Sequence, residues 1–205
     1  MFKKILVPID GSDVAKGILP YVSKIAKGTD ATLLLHTVID PEAIVVPQSV
    51  AKPELMMVPP TYRGDYPQIV DRGIATITEA THKTQLEINV IEQVEGGLKI
   101  IARDLEEQGV HAEIVATIGS PAKEIIRMAE EKGCDLIAMA TRGRNAISRG
   151  ILGSVTDRVI HTTQIPTLTI SPEKAEKYSH GEFQLSSIMV PLDGSELAET
   201  ALDAV

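Results

Sequence analysis

A glycine-rich stretch at 140–159, ATRGRNAISRGILGSVTDRV, carries the side chains best suited to chemistry in this sequence. Its glycines let the backbone approach a ligand closely, and Ser154 and Thr156 stand where a helix is predicted to begin. The N–H groups of a helix N-terminus bind phosphate, and arginines such as Arg142 add positive charge beside them. The stretch therefore predicts a phosphate-binding loop, while a plain helix cap and solvated arginines are the alternative explanation of the same residues.

The elements around this loop alternate between strand and helix. Short apolar runs rich in Val, Ile and Leu predict strands, and apolar residues at a spacing near 3.6 predict helices. The predicted strands are Lys3–Asp10, Ala31–Ile39, His111–Thr117, Cys134–Thr141 and Pro166–Ser171. The predicted helices are Asp13–Lys27, Thr78–Gly109, Gly119–Gly133 and Ser154–Thr163. Because parallel strands need crossover connections, this order predicts an α/β fold with a doubly wound, five-stranded parallel sheet and helices on both faces.

The end of the first strand is the second place where chemistry is expected. Ligands of open parallel sheets lie beyond the carboxyl ends of the strands, where the winding direction reverses. If the strand order is 3-2-1-4-5, this point falls between strands one and four, which would bring Asp10 beside the glycine loop. The Asp10 carboxylate can hold a ribose hydroxyl or a phosphate-bound Mg²⁺ there, or it can serve only as a turn residue or cap.

The composition excludes several classes of partner. A net charge of −8 and an aromatic content of 3% disfavour broad binding to nucleic acid or anionic lipid. No apolar run approaches the roughly 20 residues that span a bilayer, and the apolar part of MFKKILVPID is too short for a secretory signal. The single cysteine, Cys134, allows no internal disulfide and is expected at or near the core. We therefore expect a cytoplasmic protein with no membrane or nucleic-acid partner.

Catalytic patterns are weak in this sequence. It contains no Gly-x4-Gly-Lys-Ser/Thr loop and no nucleophile with an adjacent base. The histidines are scattered and mostly fit positions at the core edge or on the surface; they are His36, His82, His111, His161 and His180. No catalytic residue is predicted.

Residues 40–77 interrupt the alternation of strand and helix. Six of the twelve prolines fall in this stretch, among isolated hydrophobic residues. Connections of this length without secondary structure are uncommon in compact domains unless they are lids, binding loops or mobile segments. We predict a long inserted loop, with a variable surface insertion as its plainer interpretation.

The last eighteen residues of the sequence are similar to a segment near its start. Aligned without gaps, Ile5–Val22 and Ile188–Val205 are identical at nine of eighteen positions, and Asp193 repeats Asp10. Such a repeat predicts the first strand, Ile188–Leu192, and first helix of a second copy. The expected segments are a domain at 1–172, a linker at 173–186 and an incomplete second domain at 187–205.

The motifs ILVPIDGS, GSPAKEII, GSVTDRVI and IPTLTIS, in this order, resemble the universal stress protein family. The resemblance covers about residues 1–172 and, in its opening motif alone, 187–205. It implies the 3-2-1-4-5 sheet, dimerisation often through the fifth strand and, in one branch, ATP bound by a Gly-x2-Gly-x9-Gly-Ser/Thr loop. The second and third glycines of that loop are Gly143 and Gly153 here, whereas Ala140 replaces the first.

The resemblance also implies which residues surround the nucleotide. Pro8 and Asp10 would lie beside it, and Val38, after strand two, would meet the adenine through its backbone. The residues that match the phosphate and ribose loop are Met139, Ala140, Arg142, Gly143, Gly153, Ser154, Val155 and Thr156. Asp10 is the candidate ligand of an Mg²⁺ ion that accompanies ATP.

Three functions are compatible with these residues. The favoured one is an ATP-binding stress or signalling protein, in which the nucleotide biases conformation or association of a homodimer or a tandem pair of domains. The second is a slow Mg²⁺-dependent ATPase that uses Asp10 as metal ligand. The third is a nucleotide-free dimerising module, against which the intact Gly153–Ser154 end of the loop argues.

Overall fold

The computed structural model describes residues 1–43, 67–141, 153–171 and 189–199, of which 43, 67–83 and 197–198 are described by backbone alone. Its centre is a parallel sheet of five strands in the order β3-β2-β1-β4-β5. The strands are β1 (Lys4–Pro8), β2 (Thr32–Ile39), β3 (Ala112–Ile118), β4 (Leu136–Ala140) and β5 (Thr167–Ile170). The predicted fold class and strand order are confirmed.

Helices connect these strands. They are α1 (Asp13–Lys16), α2 (Leu19–Thr29), α3 (Pro67–Glu107), α4 (Pro121–Glu131), α5 (Ser154–Thr162) and α6 (Glu196–Glu199), with a short 3-10 turn at Pro41–Ala43. Of the helices in the described ranges, none is both long and apolar enough to cross a bilayer.

The middle strand β1 fixes the register of the sheet. It pairs with β2 on one side and β4 on the other, so that Leu6 lies opposite both Leu34 and Ile137. Ile5, Leu6 and Val7 are fully buried because both faces of the sheet are covered. Continuous apolar runs of this kind are typical of parallel strands, which explains why the strands are readable from the sequence.

The core divides into two clusters, one on each face of the sheet. The first cluster joins β1 and β2 to α2 and α3, through residues such as Val22 and Leu98. The second cluster joins Leu6 and Met139 of the strands to α4 and α5, through residues such as Ile125. Helices therefore cover both faces, and the second cluster includes Met139, with Val155 packed against it, on either side of the stretch where phosphate chemistry was expected.

The first predicted helix is interrupted. The periodicity from Asp13 to Lys27 predicted one helix that ends at Gly28, but α1 ends at Lys16, before Gly17, and α2 begins at Leu19. Gly28 lies inside α2, which ends at Thr29 and is followed by Asp30 with a φ of 57°. Gly17 and the proline at the second position of α2 explain the break, because glycine is a poor helix former and proline favours a helix start.

The long helix α3 begins earlier than the predicted Thr78. It starts at Pro67 and continues through Gly96 and Gly97 to Glu107, so it takes up the end of the stretch at 40–77 that was predicted as loop. Proline is acceptable at the first helical position. Pro67, which was counted as evidence for a loop, therefore begins the helix. Residues 44–66 of that stretch lie outside the described ranges.

Candidate functional site

Two hydrogen bonds join the start of α5 to the carboxyl end of β4. The Gly153 N–H donates to the Thr141 carbonyl at 2.6 Å, and the buried Thr156 hydroxyl donates to the Ala140 carbonyl at 3.0 Å. No side chain caps this helix at Gly153. The N–H groups of the first turn have no carbonyl partner within their own helix, so Ser154 and Val155 present backbone donors at this edge of the sheet.

Asp10 lies in a tight turn at the carboxyl end of β1. The Ser12 N–H and hydroxyl donate to Asp10 Oδ1 at 2.9 and 2.5 Å, and Gly11 takes a φ of 79°. The Ser12 hydroxyl oxygen in turn accepts from the Ala15 N–H at 3.1 Å, which caps α1. The turn role considered from the sequence is therefore present, and it holds the exposed Asp10 carboxylate at the same edge as α5.

Three apolar members of the predicted site lie on one face of the sheet. Val38 and Val155 pack against the second core cluster, to which the buried Met139 belongs. Val38 lies within β2, paired with Thr117, and not after the strand as predicted. Pro8 ends β1 opposite His36 of β2. The apolar floor of the predicted site is therefore continuous with the interface between the sheet and α4 and α5.

Ala140, which replaces the first loop glycine, ends β4 opposite Ile170. Among the described non-glycine residues, Asp30 alone has a positive φ, so the backbone at Ala140 does not require glycine. Arg142 and Gly143 lie outside the described ranges. The departure at Ala140 therefore introduces no backbone strain into the part of the loop that is described.

A group of polar side chains on this face, here called the His36 relay, was not predicted from the sequence, which gave most histidines surface or core-edge positions. Its members are His36, Thr117, Glu124 and Arg127. His36 is fully buried, and its Nε2 lies 2.9 Å from Thr117 Oγ1. The Glu124 carboxylate pairs with Arg127 at 2.8 Å, and its pKa is lowered mainly by Arg127 and to a smaller extent by the Thr117 hydroxyl. Burial lowers the pKa of His36 to about 4, so the imidazole is neutral at pH 7. The one signal in the sequence is a histidine within the apolar run TLLLHTVI.

Metal and thiol chemistry find little support in the described ranges. Those residues contain no group of three histidine, cysteine, aspartate or glutamate side chains arranged around a metal ion. Cys134 is buried, as expected, and burial raises the pKa of its thiol to about 11. A thiol with this pKa is protonated at neutral pH and is a poor nucleophile.

The tail repeats the Asp10 turn in detail. The Ser195 N–H donates to Asp193 Oδ1 at 2.9 Å, Gly194 takes a φ of 82°, and α6 begins at the next residue. These bonds from Ser195 lower the pKa of the Asp193 carboxyl. The described part of the predicted strand, 189–192, is not a strand, and Met189 is 91% exposed. No strand in the described part of the chain pairs with this segment.

Comparison with known proteins gives consistent results. A model of the universal stress protein family matches residues 1–56 and 63–171. Universal stress protein MJ0531 of Methanocaldococcus jannaschii is 31% identical over 176 residues, 86% of each chain. YxiE of Bacillus subtilis is 32% identical over 83% of this chain and 99% of its own. The solved structure of MJ0577, also from M. jannaschii, superposes with a TM-score of 0.61 at 26% identity, covering 83% of this chain and 96% of that one.

Proposed function

The chain belongs to the universal stress protein family, and on this premise we propose that it binds an adenine nucleotide, ATP with or without Mg²⁺, at the carboxyl ends of β1 and β4. Nucleotide occupancy then biases the conformation or association of the protein in a stress or signalling response. The residues proposed to surround the nucleotide are Pro8, Asp10, Val38, Met139, Ala140, Arg142, Gly143, Gly153, Ser154, Val155 and Thr156.

One observation carries this proposal: uncapped helix donors and an acidic turn occupy the same edge of the sheet. β1 and β4 are neighbouring parallel strands, so the Asp10 turn and the start of α5 follow adjacent strand ends. The short helix α1, which follows Asp10, packs against β4. Backbone N–H groups at a helix start bind phosphate oxygens, and a carboxylate nearby suits a ribose hydroxyl or a hydrated Mg²⁺.

The Thr156 hydroxyl has a narrower role in this proposal than the resemblance implies. Its proton is already donated to the Ala140 carbonyl, so Thr156 offers phosphate its backbone N–H rather than its hydroxyl. The exposed Ser154 side chain, two residues earlier, is the better hydroxyl donor. The bond from Thr156 keeps the helix start in place, which preorganises the donors for the nucleotide.

The domain organisation and the association of the chain form a second part of the proposal. We propose a universal stress protein domain at 1–172, a linker at 173–186 and the beginning of a second domain at 187–205, because the Asp193 turn repeats the Asp10 turn in bonding and in glycine φ. Association is proposed through β5, either in a homodimer or between tandem domains. β5 ends the described sheet, and an edge strand is suited to pairing.

The site is tested by placing a branched side chain at the helix start. Gly153→Val should obstruct phosphate and lower affinity for ATP by at least about tenfold, a loss of roughly 1.4 kcal/mol. Gly97→Val is the matched control, because Gly97 is exposed on α3 and a Cβ there meets nothing within 4 Å. Calorimetric titration of both variants with ATP is the measurement. Unchanged affinity in Gly153→Val would remove α5 from the site.

A further inference from the structure

One side chain, that of Ser12, joins the Asp10 carboxylate to the start of α1. The Ser12 N–H and hydroxyl both donate to Asp10 Oδ1, at 2.9 and 2.5 Å, and the same hydroxyl oxygen accepts from the Ala15 N–H at 3.1 Å. A serine hydroxyl has one proton and two lone pairs, so it makes both bonds at once. Ser12 therefore links the carboxylate proposed to meet the nucleotide with a helix outside the proposed site.

The two donors of Ser12 hold the Asp10 carboxylate in a defined orientation. Hydrogen bonds to an ionised oxygen are stronger than those between neutral groups. The backbone of the turn is also defined, because Gly11 takes a φ of 79°, a value that glycine adopts readily. An exposed aspartate without such partners samples several rotamers. Ser12 thus removes freedom that a ligand of Asp10 would otherwise have to remove on binding.

The helix at the other end of this link, α1, is short enough for its order to depend on the cap. It is a single turn of four residues, and Gly17 separates it from α2. Helices shorter than about 12 residues are marginal unless tertiary packing supports them. Ala15 is the buried residue of α1, whereas the ion pair between Asp13 and Lys16 is exposed and contributes little. We therefore expect the order of α1 to depend on the Ser12 cap.

The position of α1 connects it with both parts of the proposed site. It follows the Asp10 turn, and it packs against β4, the strand whose carboxyl end is bonded to the start of α5. A ligand that needs the Asp10 carboxylate in its bonded orientation favours the state in which Ser12 is in place. The same state caps α1. Coupling of this kind is reciprocal, so an ordered α1 also favours the ligand.

We propose that Ser12 is a positioning residue of the nucleotide site, whose hydroxyl orients Asp10 for the ribose or Mg²⁺ and makes the order of α1 follow nucleotide occupancy. This inference rests on the proposed nucleotide binding, and it names the element through which binding changes the conformation of the chain. Ser12 acts through Asp10 and does not itself touch the nucleotide. Its effect on affinity therefore requires the Asp10 carboxylate.

Calorimetric titration with ATP and Mg²⁺ tests the link to Asp10. Ser12→Ala should weaken binding by about three- to tenfold, and Ser12→Thr, which keeps the hydroxyl, should stay within about twofold of the unmodified chain. In the Asp10→Ala background, Ser12→Ala should cause no further loss, because the group that it positions is absent. Ser195→Ala is the matched control, since Ser195 makes the equivalent N–H bond to Asp193 and its replacement should leave ATP affinity unchanged.

Hydrogen exchange at the Ala15 amide tests the link to α1 in the unmodified chain, where no variant has to fold. This amide donates to the Ser12 hydroxyl, so its exchange reports on the cap. Saturating ATP should slow the exchange by at least about fivefold. In Asp10→Ala, ATP at a concentration that saturates this variant should not slow it. The amide of Ala198, three residues after Ser195 as Ala15 is after Ser12, should not respond to ATP.

The outcomes distinguish this inference from the proposed function. The role of the Ser12 hydroxyl is overturned if folded Ser12→Ala binds ATP as tightly as the unmodified chain, or if Ser12→Thr binds as weakly as Ser12→Ala. Additive losses in the double variant overturn the action through Asp10. Unchanged exchange at Ala15 with ATP bound overturns the link to α1. Each of these results leaves nucleotide binding standing, whereas absence of ATP binding in the unmodified chain removes the proposed function and this inference together.

Discussion

Two polar side chains near the sheet, Asp10 and His36, differ in their exposure to solvent. Asp10 is exposed and held by Ser12 in a turn, whereas His36 is enclosed and tied through Thr117 to the surface pair Glu124–Arg127. The first arrangement holds a charge where a ligand can meet it. The second keeps an imidazole neutral inside an apolar cluster. Both arrangements make predictions at single positions.

The depressed pKa of His36 predicts a loss of stability on mild acidification. The unfolded chain takes up a proton near pH 6.5 and the folded chain near pH 4, so stability falls as the pH drops through this window. The loss is on the order of 2–3 kcal/mol across the window. Urea unfolding of the unmodified chain and of His36→Leu between pH 7 and pH 4 measures it. Parallel curves for the two proteins would contradict the assignment, since Glu124 is common to both.

The tail supplies a matched control for Asp10. Asp10→Ala and Asp193→Ala each remove a carboxylate that accepts from a serine two residues later, so both should lose a similar, small amount of turn stability. Only Asp10→Ala should weaken ATP binding, by about three- to tenfold and most clearly with Mg²⁺ present. Titration with and without Mg²⁺ checks this. Equal effects of the two substitutions would reduce Asp10 to a turn residue.

At the scale of elements, features that depend on local sequence could be predicted, whereas features that depend on contacts between distant residues could not. The strands could be predicted because burial on both faces produces continuous apolar runs, and α5 because Gly153–Ser154 begins a clear periodic pattern. The break at Gly17 and the start of α3 at Pro67 were missed, because the same residues are compatible with a continuous helix or with a loop. The His36 relay was missed because it depends on the register of β2 and β3 and on packing of α4, neither of which is local.

The connection from β3 to α4 allows a test of a contact that depends on how these two elements pack. A Cβ at Gly119 would lie 2.8 Å from Glu124 Cγ, so Gly119→Ala should push the Glu124 side chain away from Thr117. We expect a destabilisation of about 1–2 kcal/mol in urea unfolding. Gly28→Ala, inside α2 where a Cβ meets nothing within 4 Å, should instead stabilise by roughly 0.5–1 kcal/mol. A neutral or stabilising Gly119→Ala would mean that Glu124 is not held as described.

At the scale of the whole molecule, an acidic protein is proposed to bind a polyanion. A net charge of −8 repels ATP at long range, so binding must come from local donors at the start of α5 and from a cation. The proposed site thus belongs to one edge of one sheet, and the repeated turn at Asp193 is the proposed opening of a second domain. The sequence predicts the loop and Asp10 at the same edge once the strand order implied by the family resemblance is assumed, because strand order determines which strand ends are neighbours.

Titration of the purified chain with ATP, followed by calorimetry in the presence of Mg²⁺, tests this account most directly. The account predicts saturable binding of one ATP per chain in the micromolar to submillimolar range, roughly 5–8 kcal/mol of binding free energy. Absence of saturable heat up to millimolar ATP, in a preparation shown to carry no bound nucleotide, would contradict it.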